Sequence, residues 1–169
     1  MANFFRDNDD IQFLFKHLDL ETIAGYSEEG FKYAGQCDYA PADGAEARKN
    51  YEMVLDALGQ VSGDFIAPRS EGIDREGNTL NPDGTVSYAK GIAESLNALA
   101  KMDVMGFTLP YRFGGLNFPN TIYSIAIEIV SRADASLMNI FGLQGIAETI
   151  NFFADEDIKK HYLPDFASG

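Results

Sequence analysis

Hydrophobic positions along this chain recur mostly at helical spacing, and only in scraps at the two-residue spacing of a strand. Ile11, Leu14, Phe15 and Leu18 make the first such face, in a short helix that Asp9 or Asp10 can cap. Residues 19–42 are rich in Gly, Glu and Tyr and support one or two short turns of helix. Asp43 opens a longer helix with the stripe Ala47, Val54, Leu55, Leu58, Val61, Phe65 and Ile66. Pro68 is expected to end it, because the residue before a proline avoids the α region. A loop is expected from Gly72 to Gly84, where Asn81-Pro82-Asp83-Gly84 is a strong turn signal. The flanking pairs Thr79-Leu80 and Thr85-Val86 are too short for a real sheet. Tyr88–Met105 forms the next helix, and Gly106–Pro119 a loop punctuated by Pro110, Gly114 and Gly115. A very apolar helix covers Asn120–Arg132. Asp134 caps another that runs to Ala154, and Asp155 caps Glu156–Phe166, broken near Pro164. The pattern predicts an all-α helical bundle.

At 169 residues the chain allows one domain, or at most two small ones. The periodic helices begin at residue 43, so residues 1–42 read as an N-terminal extension with short helices and 43–169 as the helical domain. A net charge of −13 argues against phosphate backbones and anionic lipid surfaces as partners. The closest-set bases, Arg48-Lys49 and Lys159-Lys160, are pairs and not a nucleic-acid patch. The single Cys37, the acidic start and the shortness of the uncharged runs predict a soluble cytoplasmic protein with no membrane insertion.

Candidate chemistry is sparse. Asp74, Glu76 and Asn78 mimic the first ligands of a calcium loop, but Thr79 and Thr85 stand where its central Gly and distal Glu belong. The acidic groups Asp7, Asp9, Asp10 and Asp74, Glu76, Asp83 read as solvated loops. His17 and His161 have no partner at zinc-ligand spacing, so no metal site is expected. Cys37 lacks a basic neighbour, and Ser124, Ser131 and Ser136 lack an elbow motif. Glu128 lies inside an apolar helix with Arg132 at i+4, and reads as a structural ion pair anchoring two helices rather than as a catalytic carboxylate. Met138, Phe141, Gly142, Gly145 and Thr149 share one helix side. Two helical glycines cost about 1 kcal/mol each against Ala, so either a helix packs closely there or a ligand chain lies in a groove.

Three pieces in order carry a resemblance. Gly106-Phe107-Thr108-Leu109-Pro110-Tyr111-Arg112-Phe113-Gly114-Gly115-Leu116 resembles a "G-hydrophobic-x-x-P-x-x-x-G-G-L" loop. Glu128-Ile129-Val130-Ser131-Arg132-Ala133-Asp134-Ala135-Ser136 is similar to an "E-x-x-x-x-x-D-x-S" junction. The run from Ala154 to Pro164, then Ala167-Ser168-Gly169, is similar to a "G-x-x-x-Q-K-x-x-Y-L-P-x-L-A-x-G" close, departing at Ala154, Ile158 and Phe166. All three belong to the N-terminal helical domain of the acyl-CoA dehydrogenase family. Residues 1–42 and the turn Asp74–Gly84 look more like its longer, methylthiopropanoyl-CoA dehydrogenase-like branch.

The resemblance implies part of an oxidoreductase that dehydrogenates an acyl-CoA thioester between its α and β carbons. It implies FAD as cofactor, an electron-transfer acceptor and a homo-oligomer. In the family this domain forms one wall of the acyl pocket, while the catalytic base and most flavin contacts lie downstream. Carried over, Met138, Phe141, Gly142 and Gly145 are the substrate-binding residues, no residue here is catalytic, and Glu128 is a structural landmark. The expectation is a fragment that neither turns over substrate nor holds FAD tightly alone. The alternative is a stand-alone helical protein-interaction module that binds through its fourth and fifth helices. The apolar run Ile122–Val130 and the uncharged Met138–Gly145 stripe favour the fragment, since both should lie uncovered in it.

Overall fold

Asn8, rather than Asp9 or Asp10, caps the first helix: its Oδ1 accepts from the backbone N–H of Asp10 and Ile11, both at 3.1 Å. A computed structural model describes residues 2–169. Helix α1 spans Asp9–His17, and the two aspartates lie in its first turn, where the helix dipole favours negative charge. Ile11 and Phe15 are buried and Leu18 packs against the core, while Leu14 remains exposed. Asp19 caps α2, Leu20–Ser27. Irregular turns follow, in which Glu29, Gly30 and Phe31 all adopt positive φ.

Asp43 caps α3, Gly44–Val61, as expected; its carboxylate accepts from Glu46 N–H, and Glu46 reaches back to Ala42 N–H. Pro68 does not end the helical run. One wide π turn, Ser62–Ile66, passes directly into α4, Ala67–Glu76. Ala67 N–H bonds Ser62 O, five residues back, and Pro68 falls within the first two positions of α4. The widened turn gives the proline ring room against the preceding carbonyls, and the change from five-residue to four-residue bonding falls where its N–H is missing.

Helix therefore reaches Glu76 where a loop was expected from Gly72. The loop beyond is a small hairpin, β1 (Thr79–Leu80) against β2 (Val86–Ser87), with Thr79 opposite Ser87. Its turn is the expected tetrad, closed by Gly84 N–H to Asn81 O at 3.0 Å with Gly84 at φ +83°. Helix α5 covers Lys90–Ala100, shorter than expected, and ends in turns where Asp103 takes positive φ. The 106–119 loop holds one 3-10 turn, Tyr111–Phe113, and leads into α6, Asn120–Ala133.

The single long helix expected after Asp134 is two: α7, Ala135–Phe141, and α8, Gln144–Phe153. Helix α9, Glu156–Ser168, runs unbroken through Pro164. The carbonyl that loses its donor belongs to Lys160, and both Lys160 and Pro164 are exposed, so water can serve it.

One core joins both parts of the chain. Phe5, Ile11, Phe15, Leu20 and Ala24 pack with Leu55, Leu58, Ile66, Ile122, Ile129 and Phe141. The N-terminal strap lies against two glycines: an added Cβ on Gly59 would stand 2.6 Å from Phe5 N, and one on Gly63 2.5 Å from Ala2 O. Helix α6 gives Ile122, Ile125, Ala126, Ile129 and Val130 to this core, so its apolar run is covered by the chain itself. That removes the uncovered α6 face expected above. Leu109, Phe113, Ala147, Leu163 and Ala167 form a second, smaller cluster that ties the 106–119 loop to α8 and α9.

Candidate functional site

Asp134 starts α7 as a cap, its Oδ1 accepting from Ser136 N–H at 2.9 Å and Leu137 N–H at 3.1 Å. Seven residues later Phe141 drops fully into the core beside Phe107 and Tyr123. Tyr123 donates its hydroxyl hydrogen to Phe141 O at 3.1 Å, and burial pushes that phenol up to about 12. The chain then turns at Gly142-Leu143.

Gln144 fixes that turn. Only 3% exposed, it accepts from Phe107 N–H at 2.8 Å and donates to Val104 O at 3.1 Å. One side-chain amide thus satisfies two backbone groups of the neighbouring segment, which an apolar residue could not do. Beside the turn lies an almost wholly apolar groove of about 290 Å³, lined by Met105, Ile140, Leu143, Gln144, Asp165 and Phe166, with Gly169 at its edge. Leu143, which lines the groove, and Ile146 of α8 are each about half exposed, and Phe152 and Phe153 at the end of α8 are exposed.

The four sequence-selected residues do not share one face here. Phe141 lies behind the wall, in the core. Met138 is half-buried against the same core. Gly142 is half-buried, and a Cβ there would meet Met138 O at 3.1 Å. Gly145 is exposed, with nothing within 4 Å of an added Cβ. The break between α7 and α8 turns the two halves of the stripe apart. The groove is lined instead by the intervening residues Ile140, Leu143 and Gln144. A signal for them was present: Gln144 is a lone amide inside a strongly apolar stretch.

Other candidates have structural occupations. Glu128 and Arg132 do not pair with one another in the hydrogen bonds described. Glu128 accepts from Asn8 Nδ2 at 3.2 Å and Arg132 pairs with Asp7, so both fasten the N-terminal segment to α6. Glu76 accepts from Lys90 N–H and Asn78 from Ala89 N–H, at the start of α5; Asp83 accepts from Thr85. Among the described residues no group of three or more His, Cys, Asp or Glu could hold a metal ion. His17 and His161 are exposed, and Cys37 is a half-buried free thiol. No helix among the described residues is long and apolar enough to cross a membrane.

The family of acyl-CoA dehydrogenase N-terminal domains matches residues 48–169. A 3-methylmercaptopropionyl-CoA dehydrogenase of Ruegeria pomeroyi is 27% identical over 169 residues, covering 95% of this chain and 25% of that protein. A mitochondrial 2-methylacyl-CoA dehydrogenase of Solanum tuberosum is 30% identical over 117 residues, covering 68% of this chain and 26% of that protein. The chain spans about a quarter of the length of these relatives.

Proposed function

Because this chain belongs to the acyl-CoA dehydrogenase family, we propose that it is the N-terminal helical part of an FAD-dependent enzyme that dehydrogenates acyl-CoA thioesters. The observation that carries this reading is the family match across residues 48–169. The apolar groove beside the α7–α8 turn agrees with it. The likeness to the Ruegeria protein runs through most of the chain, extension included, which supports the longer branch. Residues 1–42 then serve as an extension that buttresses the domain beginning near residue 43.

In this reading the chain supplies one wall of the acyl pocket. Ile140 and Leu143 offer an alkyl chain a surface that water wets poorly. Met138 and Phe141 back that wall from the core side. Gly142 sits in the turn beside the wall, and Gly145 lies outside the groove lining with open space around it. FAD, whose isoalloxazine accepts the hydride in the family, is not cradled by these residues. The groove is small and apolar, and its one charged lining residue, Asp165, would repel a pyrophosphate. In this reading the flavin, the catalytic base, the contact with an electron-transfer acceptor and the homo-oligomeric assembly belong to the whole enzyme, as the family resemblance implies. The 169 residues alone neither turn over substrate nor retain flavin.

The test is Leu143→Glu in the enzyme carrying this chain, assayed with saturated acyl-CoAs of increasing length and an artificial electron acceptor. The expected result is a kcat/KM loss that grows with acyl length, by roughly tenfold or more for the longest chains. An unchanged length profile would remove Leu143 from the wall. A flavin spectrum that survives gel filtration of the 169 residues would overturn the division of labour proposed above.

A further inference from the structure

Outside the groove, the most unusual group in the molecule is Glu28. It caps the C-terminal end of α2, yet it is only 1% exposed. Its Oε1 accepts from Tyr111 Oη at 2.8 Å and Asn117 Nδ2 at 3.2 Å, both from the 106–119 loop. Asn117 also donates to Ser27 O at 3.2 Å. Its Oε2 is buried with no hydrogen-bond partner, and so is the hydroxyl of Tyr51 on α3, a phenol pushed up by burial and by the Glu28 charge.

We propose that Glu28 is a proton-operated latch: neutral, it fastens residues 28–37 to the 106–119 loop, and loss of its proton to solvent releases that segment. Three observations converge. A buried carboxylate needs a cation or several donors, and none of the ion pairs described involves Glu28. The groups facing it are Tyr51 from α3 and Tyr111 and Asn117 from the loop, all neutral at physiological pH. Burial pushes its carboxyl above the usual value, against the opposing effect of the Tyr111 and Asn117 hydrogen bonds. Third, the segment beyond it is under backbone strain, with the non-glycine residues Glu29 at φ +49° and Phe31 at φ +62°.

Elsewhere the fastened segment has one anchor in the main core, the half-buried Phe31. Tyr33 lies edge-on to Tyr111 with ring centroids 5.6 Å apart, and the ion pair of Glu29 with Lys32 is internal to the segment. Beside this ring contact lies a cleft of about 540 Å³, lined by Glu29, Tyr33, Gln36 and Cys37 together with Pro110 and Tyr111. The loop that Glu28 grips also contains Phe107, whose N–H is held by Gln144. No residue of this latch touches the proposed acyl wall, so it stands or fails separately from that reading.

The experiment is amide hydrogen exchange of residues 28–37 in the purified protein across pH, corrected for the chemical exchange rate, in wild type, Glu28→Gln and Tyr111→Phe. One proton's linkage makes opening rise by up to tenfold per pH unit between the ordinary carboxyl value and the raised one, then level off. Glu28→Gln is expected to flatten this rise. Tyr111→Phe removes a hydrogen bond that favours the charged carboxylate, so the rise should begin at the same pH and level off at a higher one. Protection of 28–37 that is independent of pH in wild type overturns the latch. So does a rise that persists in Glu28→Gln, or one whose levelling-off Tyr111→Phe leaves in place or shifts downward.

Discussion

Phe5→Ala measures whether the first 42 residues and the helical domain are one folded unit. Phe5 is fully buried in a cluster that includes Leu55, Leu58, Ile122 and Ile129, and it meets Phe15 edge-on at 5.6 Å. Removing its ring deletes a large apolar side chain and leaves a cavity that Gly59, pressed against Phe5 N, cannot fill without moving α3. Truncations of this kind cost about 3–5 kcal/mol. For a domain of this size each kcal/mol lowers Tm by about 2–4 °C, so the melt should fall by roughly 6–20 °C. The remaining ties of the strap cannot offset that. Arg6 bonds Glu52 and Asp56 in partly exposed ion pairs, worth about 1 kcal/mol or less each. The assay is thermal unfolding followed by far- and near-ultraviolet circular dichroism, with Phe13→Ala as control. Phe13 is 62% exposed, and its truncation should change stability by no more than about 0.5 kcal/mol. The reasoning assumes one cooperative transition that shifts as a whole. If Phe5→Ala left the main transition in place and moved only a small early one, the shared core would be refuted.

Gly115→Ala should cost about 3 kcal/mol or more, because the new Cβ would overlap Leu109 O and the neighbouring carbonyl carbon, which are backbone and cannot swing aside; denaturant titration reads it. Gln144→Leu keeps the volume but orphans Phe107 N–H and Val104 O, at about 1–3 kcal/mol each, with hydrogen exchange at Phe107 accelerated. An unchanged melt for Gln144→Leu would mean that the turn is held by packing instead.

Much of the helical architecture is written in local chemistry. The stripe of α3, its Asp43 cap, the Asn81–Gly84 turn and the caps Asp134 and Asp155 act within a few residues, so they are legible before any fold is known. The motifs of the 106–119 loop, the α6 junction and the final helix likewise identify the family from sequence. What those local rules miss is settled by distant contacts. Pro68 is a helix breaker by local rules, but a π turn accommodates it. The stripe from Met138 to Thr149 looks continuous, but Gln144 is claimed by residues 104–107, and its hydrogen bonds turn the chain at Gly142. Glu128 and Arg132 have the right spacing for each other, yet Asn8 and Asp7, over a hundred residues away, take them. Residues 19–42 were the least readable because α2 and Glu28 are specified by burial against α3 and the 106–119 loop, and not by their own periodicity. Sequence determined the helix starts capped by Asp43, Asp134 and Asp155 and most of the apolar faces, because caps and periodicity are short-range. Tertiary structure decided where helices bend and which polar groups meet, because a buried hydrogen-bonding group must find a partner wherever the chain supplies one.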